Sequence, residues 1–94
     1  MTAVPFHLSL DPHAKAAYLR FTEAVVDETI ELAPGMYLDV DHLGGLIGIE
    51  ILSAGNVALL LDGFPSIRDD LPTIPEMDPV QLGELQRFFE RTTA

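Results

Sequence analysis

The side chains best suited to chemistry in this sequence are three acids around a glycine-containing turn. Asp39, Asp41 and Glu50 are spaced like the first, third and twelfth residues of a calcium-binding EF-hand loop. Gly44 falls at the sixth position, but Leu43 falls at the fifth, where an oxygen ligand is needed. The flanking residues alternate with period two, whereas an EF-hand needs helices. We therefore expect hairpin acids exposed to solvent and no metal site, and we keep as the alternative function a small metal- or ligand-binding protein that uses this acidic face.

The other reactive residue types form no catalytic pattern. The chain has no cysteine, which excludes a thiolate nucleophile, a disulfide framework and a Cys-based zinc site. His7, His13 and His42 fall in a predicted strand and two predicted turns, where we expect surface side chains. His7 or His42 beside the acids would favour a transition metal. No serine lies in a Gly-x-Ser-x-Gly motif. We expect no enzyme activity, no catalytic residue and no cofactor.

Length and charge limit the remaining classes of function. The 94 residues predict a single domain over 1–94, and 15 acids against 5 bases give a net charge of -10. Phosphate backbones and anionic lipids repel such a chain, so we expect no nucleic acid and no membrane partner, and a basic protein partner is favoured. The longest apolar run, 57–61, is far too short to span a bilayer. With no signal peptide at the first residues and no cysteine, we expect a cytoplasmic location.

Alternating apolar and polar residues in the first half of the chain predict half-buried strands. The five runs are 6–11, 17–22, 26–32, 36–41 and 46–51. Asp-Pro at 11–12, Pro-Gly at 34–35 and Gly-Gly at 44–45 mark turns. Because the connections are short, neighbours in sequence should pair antiparallel. We predict a five-stranded β-meander over 5–52 with one apolar face and one acidic face.

The second half of the chain must cover the apolar face, because a single sheet cannot leave that face in water. Residues 53–77 predict a short helix, capped by Ser53, and a connector. A C-terminal helix over 78–92 begins with Asp78 as its N-cap and Gln81 reaching back to it. The apolar stripe of this helix is Leu82, Leu85, Phe88 and Phe89. The predicted fold class is α+β, with one sheet face covered by the short helix and the C-terminal helix.

Four segments carry a resemblance to a known family. They are Asp11-Pro12, Tyr18-Leu19-Arg20, Leu38-Asp39-Val40-Asp41 and Gly48-Ile49-Glu50-Ile51. In this order they resemble the small bacterial family catalogued as domain of unknown function 2283, over roughly residues 7–53, and the C-terminal extension is unmatched. The resemblance implies a β-sheet fold. It implies no activity and no functional residue, because the family has none assigned.

Two groups of residues are candidates for interaction. Tyr18, Arg20 and Tyr37 share the polar face, where the tyrosines either anchor a partner or form a cross-strand pair that protects the sheet. Leu59, Leu60 and Phe64 belong to an apolar segment that is either core cover or a homodimer interface. We predict a small acidic, non-catalytic protein–protein interaction module that forms a homo-oligomer, most simply a dimer, and accepts a basic protein partner.

Overall fold

A computed structural model describes residues 4–61 and 75–93. The elements in chain order are β1 (His7–Asp11), β2 (Ala16–Arg20), β3 (Glu28–Ala33), β4 (Met36–Val40), β5 (Leu46–Ile51), α1 (Ala54–Leu61) and α2 (Pro79–Thr93). The five strands form one antiparallel sheet, so the predicted α+β class is confirmed. Residues 62–74 of the predicted connector, including Phe64, lie outside the described residues. Neither helix in the described ranges is long and apolar enough to cross a membrane.

The strand order is β1-β2-β5-β4-β3, which differs from the predicted meander. The β3–β4 and β4–β5 hairpins are as predicted, but β5 lies between β4 and β2. Ile47, Gly48 and Ile49 are buried in succession, and a strand that is buried on both faces belongs at the centre of a sheet. The link from β2 to β3 runs past the ends of β5 and β4. The N–H of Phe21 donates to the carbonyl of Ile47 at 2.8 Å, and that of Asp27 donates to Val40 at 2.9 Å.

The predicted turns are formed by local backbone chemistry. Gly35 has a φ of 82°, which suits the second central position of a Pro-Gly turn. Asp11 Oδ1 accepts the backbone N–H groups of His13 and Ala14 at 3.0 and 3.1 Å, and this closes the β1–β2 turn. These contacts span a few residues each, which is why the sequence pattern was sufficient to find them.

Both helices pack on the apolar face of the sheet. The core is formed by sheet residues such as Leu19, Leu38 and Ile49 together with helix residues. The helix residues in this core are Val57, Leu60, Leu85, Phe88 and Phe89. Leu60 is therefore part of the core of this chain, because α1 turns it towards the sheet. Its neighbour Leu59 is 37% exposed.

The residues that precede β1 meet the residues around the start of α2. Asp78 is the N-cap of α2 as predicted, since its Oδ1 accepts the N–H of Val80 at 3.0 Å. Gln81 does not reach back to the N-cap as predicted. Instead, its Oε1 accepts the N–H of Phe6 at 2.9 Å and its Nε2 donates to the carbonyl of Phe6. The side-chain amide takes both backbone groups of Phe6, because a partly buried backbone away from the sheet needs them satisfied.

Candidate interaction face

The face of the sheet opposite the helices is polar, and its residues form two rows across all five strands. One row runs from β1 to β3 through directly paired residues: His7, Arg20, Gly48, Asp39 and Thr29. The next row consists of Ser9, Tyr18, Glu50, Tyr37 and Glu31. We call these ten residues the polar face. The period of two along each strand places them together, whereas the strand order sets which of them are neighbours.

Tyr18 lies diagonally across the central strand. It is paired with Glu50, yet its hydroxyl reaches Asp39 on β4 and donates to Oδ2 at 2.7 Å. The ring covers Gly48 on the way, so a β-carbon at Gly48 would overlap the hydroxyl oxygen and would lie 2.7 Å from Cε2. Gly48 is therefore required by the close approach of the tyrosine ring, and not by a turn.

Asp39 is held from both sides. Its second oxygen, Oδ1, accepts the Thr29 hydroxyl at 2.6 Å, so both carboxylate oxygens have a protein donor. Arg20 lies against the other side of the tyrosine, with its Cζ 5.4 Å from the centroid of the Tyr18 ring. This chain of contacts connects the edge strand β3 to β2 across β4 and β5. Its members are Thr29, Asp39, Tyr18 and Arg20.

The ionisation of both tyrosines is disfavoured on this face. Burial raises the pKa of Tyr18 well above its ordinary value, and the hydrogen bond to the Asp39 carboxylate raises the pKa further. The negative charge of Glu31 raises the pKa of Tyr37, with smaller contributions from burial and from a hydrogen bond to that carboxylate. The polar face therefore presents neutral phenols beside anionic carboxylates at neutral pH.

Alkaline titration tests the Tyr18–Asp39 contact. The chain has two tyrosines and no tryptophan, so a Tyr37→Phe variant reports on Tyr18 alone by its ultraviolet difference spectrum. We expect Tyr18 to ionise well above its ordinary pKa of 10.0 in the folded chain, and an added Asp39→Asn change to lower that pKa. Because the folded pKa is raised, the contribution of Tyr18 to stability is fully present below pH 10.0 and is lost as the pH rises above it.

The control for this titration is the same variant in denaturant, where Tyr18 should ionise at its ordinary pKa. Ionisation of the folded variant at that same ordinary pKa would show that the ring is solvated and that the contact to Asp39 is absent.

Asp41 has a structural part in the β4–β5 hairpin. Its Oδ1 accepts the N–H groups of Gly45 at 2.8 Å and of Leu43 at 2.9 Å. These two backbone donors lower the pKa of Asp41, that of Gly45 contributing most. Gly44, with a φ of 81°, completes the turn. The acid that resembled a calcium ligand is therefore the residue that closes the hairpin.

The three acids of the EF-hand-like spacing do not converge in space. Asp39 is engaged by two hydroxyls, Asp41 faces its own turn, and Glu50 lies between Tyr18 and Tyr37. Across residues 4–61 and 75–93, no group of three or more His, Cys, Asp or Glu side chains is placed to hold a metal ion. The geometry of the described residues gives no support to a metal ion held by Asp39, Asp41 and Glu50.

The predicted interaction residues lie in two different parts of the structure. Tyr18, Arg20 and Tyr37 do share one face, but β5 separates the tyrosines, so they flank Glu50 and do not form a direct cross-strand pair. Leu59 lies on α1, on the opposite side of the sheet. The residues that sequence reasoning missed are Thr29 and Gly48. A glycine between isoleucines in the middle of a strand was the available signal for a close approach.

Comparison with known proteins identifies one similarity. A family model described as protein of unknown function (DUF2283) matches residues 7–54, which is 48 of the 94 residues. The matched segment contains all five strands and therefore the whole polar face, whereas α2 lies outside it. The predicted resemblance is confirmed. No curated protein and no solved structure matches the chain significantly.

Proposed function

Because the chain belongs to the DUF2283 family of proteins of unknown function, we propose its function from the geometry of its own polar face. The chain is a non-catalytic protein–protein interaction module. It self-associates, and it binds a basic protein partner through the polar face. The observation that carries the proposal is the charge of this face, on the side of the sheet away from the two described helices.

The polar face is acidic and half-exposed. It carries the carboxylates of Glu31, Asp39 and Glu50, with Asp11 at the end of β1, against the single guanidinium of Arg20. Charged groups arranged in this way attract a surface of the opposite sign, and they orient it during the encounter. The net charge of -10 on the whole chain adds long-range attraction for the same kind of partner.

The aromatic residues give this face its specificity. Tyrosine and arginine are enriched among the residues that contribute most to binding in protein interfaces. Tyr18 is fixed by its bond to Asp39 and by Arg20, so little side-chain entropy remains to be lost when a partner binds. Tyr37 lies two strands away on β4, beside Glu31 and Glu50. A lysine or arginine of a partner would meet a tyrosine ring and a carboxylate together.

Titration with an oligolysine peptide tests the polar face. We expect chemical-shift changes in the amides of β4 and β5, and weaker binding as the salt concentration rises. The double change Glu31→Gln and Glu50→Gln should weaken binding about three- to tenfold, because it removes two carboxylates that would pair with lysines of the peptide.

The matched control carries the same change of net charge elsewhere. Glu76 and Glu84 are exposed and lie outside the polar face. Glu76 comes just before α2, and Glu84 lies within α2. The double change Glu76→Gln and Glu84→Gln should leave the affinity for oligolysine nearly unchanged. Equal losses in the two double variants would mean that only the net charge attracts the peptide, and the polar face would then have no special part in binding.

A further inference from the structure

The backbone groups on the outer edge of the first strand have partners at one end of the strand, and none among the described residues further along. Val4 donates its N–H to the carbonyl of Glu76 at 2.7 Å and accepts the N–H of Asp78 at 3.3 Å. Two residues later, Gln81 takes both backbone groups of Phe6. The segment before α2 covers the edge at Val4, and Gln81 of α2 covers it at Phe6. Beyond this point β1 pairs with β2 on its inner side, and no partner on its outer side lies among the described residues.

The alternation of the backbone decides which N–H and C=O groups of β1 point away from β2. The N–H and C=O groups of alternate residues in a strand point to the same side. Those of Val4 and Phe6 point outward, so those of Leu8 and Leu10 do as well. The hydrogen bonds of β2 support this assignment. Phe21 lies opposite Phe6, and its N–H donates to the carbonyl of Ile47 on β5 and not to β1. Two residues, Leu8 and Leu10, thus present two donors and two acceptors along the part of the edge that no described residue pairs with.

This short edge is self-complementary. Rotation about a two-fold axis at Ser9 places Leu8 opposite Leu10 of a second copy, and His7 opposite Asp11. The leucines lie on the apolar side, where Leu10 is 39% exposed and Leu8 packs against the core. Imidazole and carboxylate then meet on the polar side. An axis at Leu8 would need the backbone groups of Phe6 for pairing, but the Gln81 side chain already bonds them. An axis at Leu10 would need a backbone N–H from Pro12, which has none.

The other edge of the sheet is less suited to self-pairing. β3 carries Glu28 and Glu31, and its register with β4 shifts between Glu31 and Ala33. Acidic residues and a bulge on an edge strand oppose the addition of another strand. A second copy would also bring two more glutamates to the same short ladder.

We infer that the self-association of this chain occurs through β1, by antiparallel pairing of His7–Asp11 with the same strand of a second copy about Ser9. The inference rests on the proposed function and names the surface for it. The two leucine pairs exchange four backbone hydrogen bonds, and the two Ser9 residues face each other as a non-hydrogen-bonded pair. The dimer is then one continuous sheet of twice five strands, with both polar faces on the same side. Such a dimer offers a basic partner two copies of the acidic face.

Charge changes at Ser9 test this dimer. Light scattering of the unchanged chain should give twice the chain mass of 10.3 kDa. Ser9→Glu and Ser9→Lys should each give the chain mass, because like charges then face each other across the axis. An equimolar mixture of the two variants should regain the doubled mass. Unchanged circular dichroism of each variant would establish that both are folded.

Two outcomes would contradict the inference, and they differ in what they leave standing. A monomer mass for the unchanged chain at all concentrations would remove self-association, and with it that part of the proposed function. A doubled mass that persists in Ser9→Glu would keep self-association and place its interface away from β1. The oligolysine titration of the Glu31→Gln and Glu50→Gln double variant, which leaves β1 unchanged, tests the polar face independently of both.

Oxidative cross-linking tests the register of the pairing. The chain has no cysteine, so Ser9→Cys introduces a single thiol. The two Cα atoms in a non-hydrogen-bonded pair are about 4.5 Å apart, within disulfide range. His7→Cys is the matched control on the same strand and face, and its two copies would be separated by about 13 Å along the strand. We expect a disulfide-linked dimer from Ser9→Cys and none from His7→Cys. Equal cross-linking of the two would overturn the register about Ser9.

Discussion

Replacement of Leu85 by alanine is expected to lower the free energy of unfolding by about 2–5 kcal/mol. Leu85 is fully buried, and it packs in the core formed by α2 and the apolar face of the sheet. Removing its side chain leaves a cavity where the sheet and the helix meet. A domain of this size has a net stability of about 5–14 kcal/mol, so this single change removes a large part of it. Chemical denaturation followed by circular dichroism measures the loss.

The control for Leu85 lies on the same helix. Val80 is 67% exposed, so Val80→Ala should change the stability by no more than about 0.5 kcal/mol. Deletion of residues 78–94 is the extreme form of the same experiment, and we expect it to abolish cooperative unfolding. A truncated chain with an unchanged melting temperature would show that α2 does not stabilise the sheet.

Replacement of Gly48 by alanine is expected to destabilise the fold by about 1–3 kcal/mol, because the new methyl group overlaps the Tyr18 ring. The ring must move off the central strand, which breaks its hydrogen bond to Asp39. The pKa of Tyr18 should therefore fall towards its ordinary value in the same variant. A loss of stability without a change in the tyrosine titration would contradict this mechanism.

Replacement of a second glycine, Gly83, by alanine is expected to raise the stability instead of lowering it. Gly83 lies inside α2, where an added β-carbon meets only the end of the Arg87 side chain, at 3.4 Å. Gly83→Ala should stabilise the chain by up to about 1 kcal/mol, because alanine favours the helix.

In a Tyr18→Ala background the cost of Gly48→Ala should largely disappear, since the two residues compete for the same space. An undiminished cost in that background would place the clash elsewhere.

Several features of this protein were predictable from the sequence because their causes are local. The alternation of apolar and polar residues located the five strands, since the apolar residues of each strand lie on one face of the sheet. The Asp11 turn, the Pro34-Gly35 turn and the Asp78 N-cap were predictable for the same reason, because each depends on contacts within about four residues. The stripe on α2 identified its buried side, including Leu85.

The tertiary structure alone decided which strands are neighbours and which polar residues meet. A meander and the observed order bury the same apolar faces, so the alternation of residue types does not distinguish them. The placement of β5 at the centre brings Tyr18, Gly48 and Asp39 together from three strands. The docking of α2 turns Gln81 from its own helix start to the backbone of Phe6, 75 residues away. These contacts depend on long-range packing, in which many partners of the same residue type compete, and only the assembled fold selects among them.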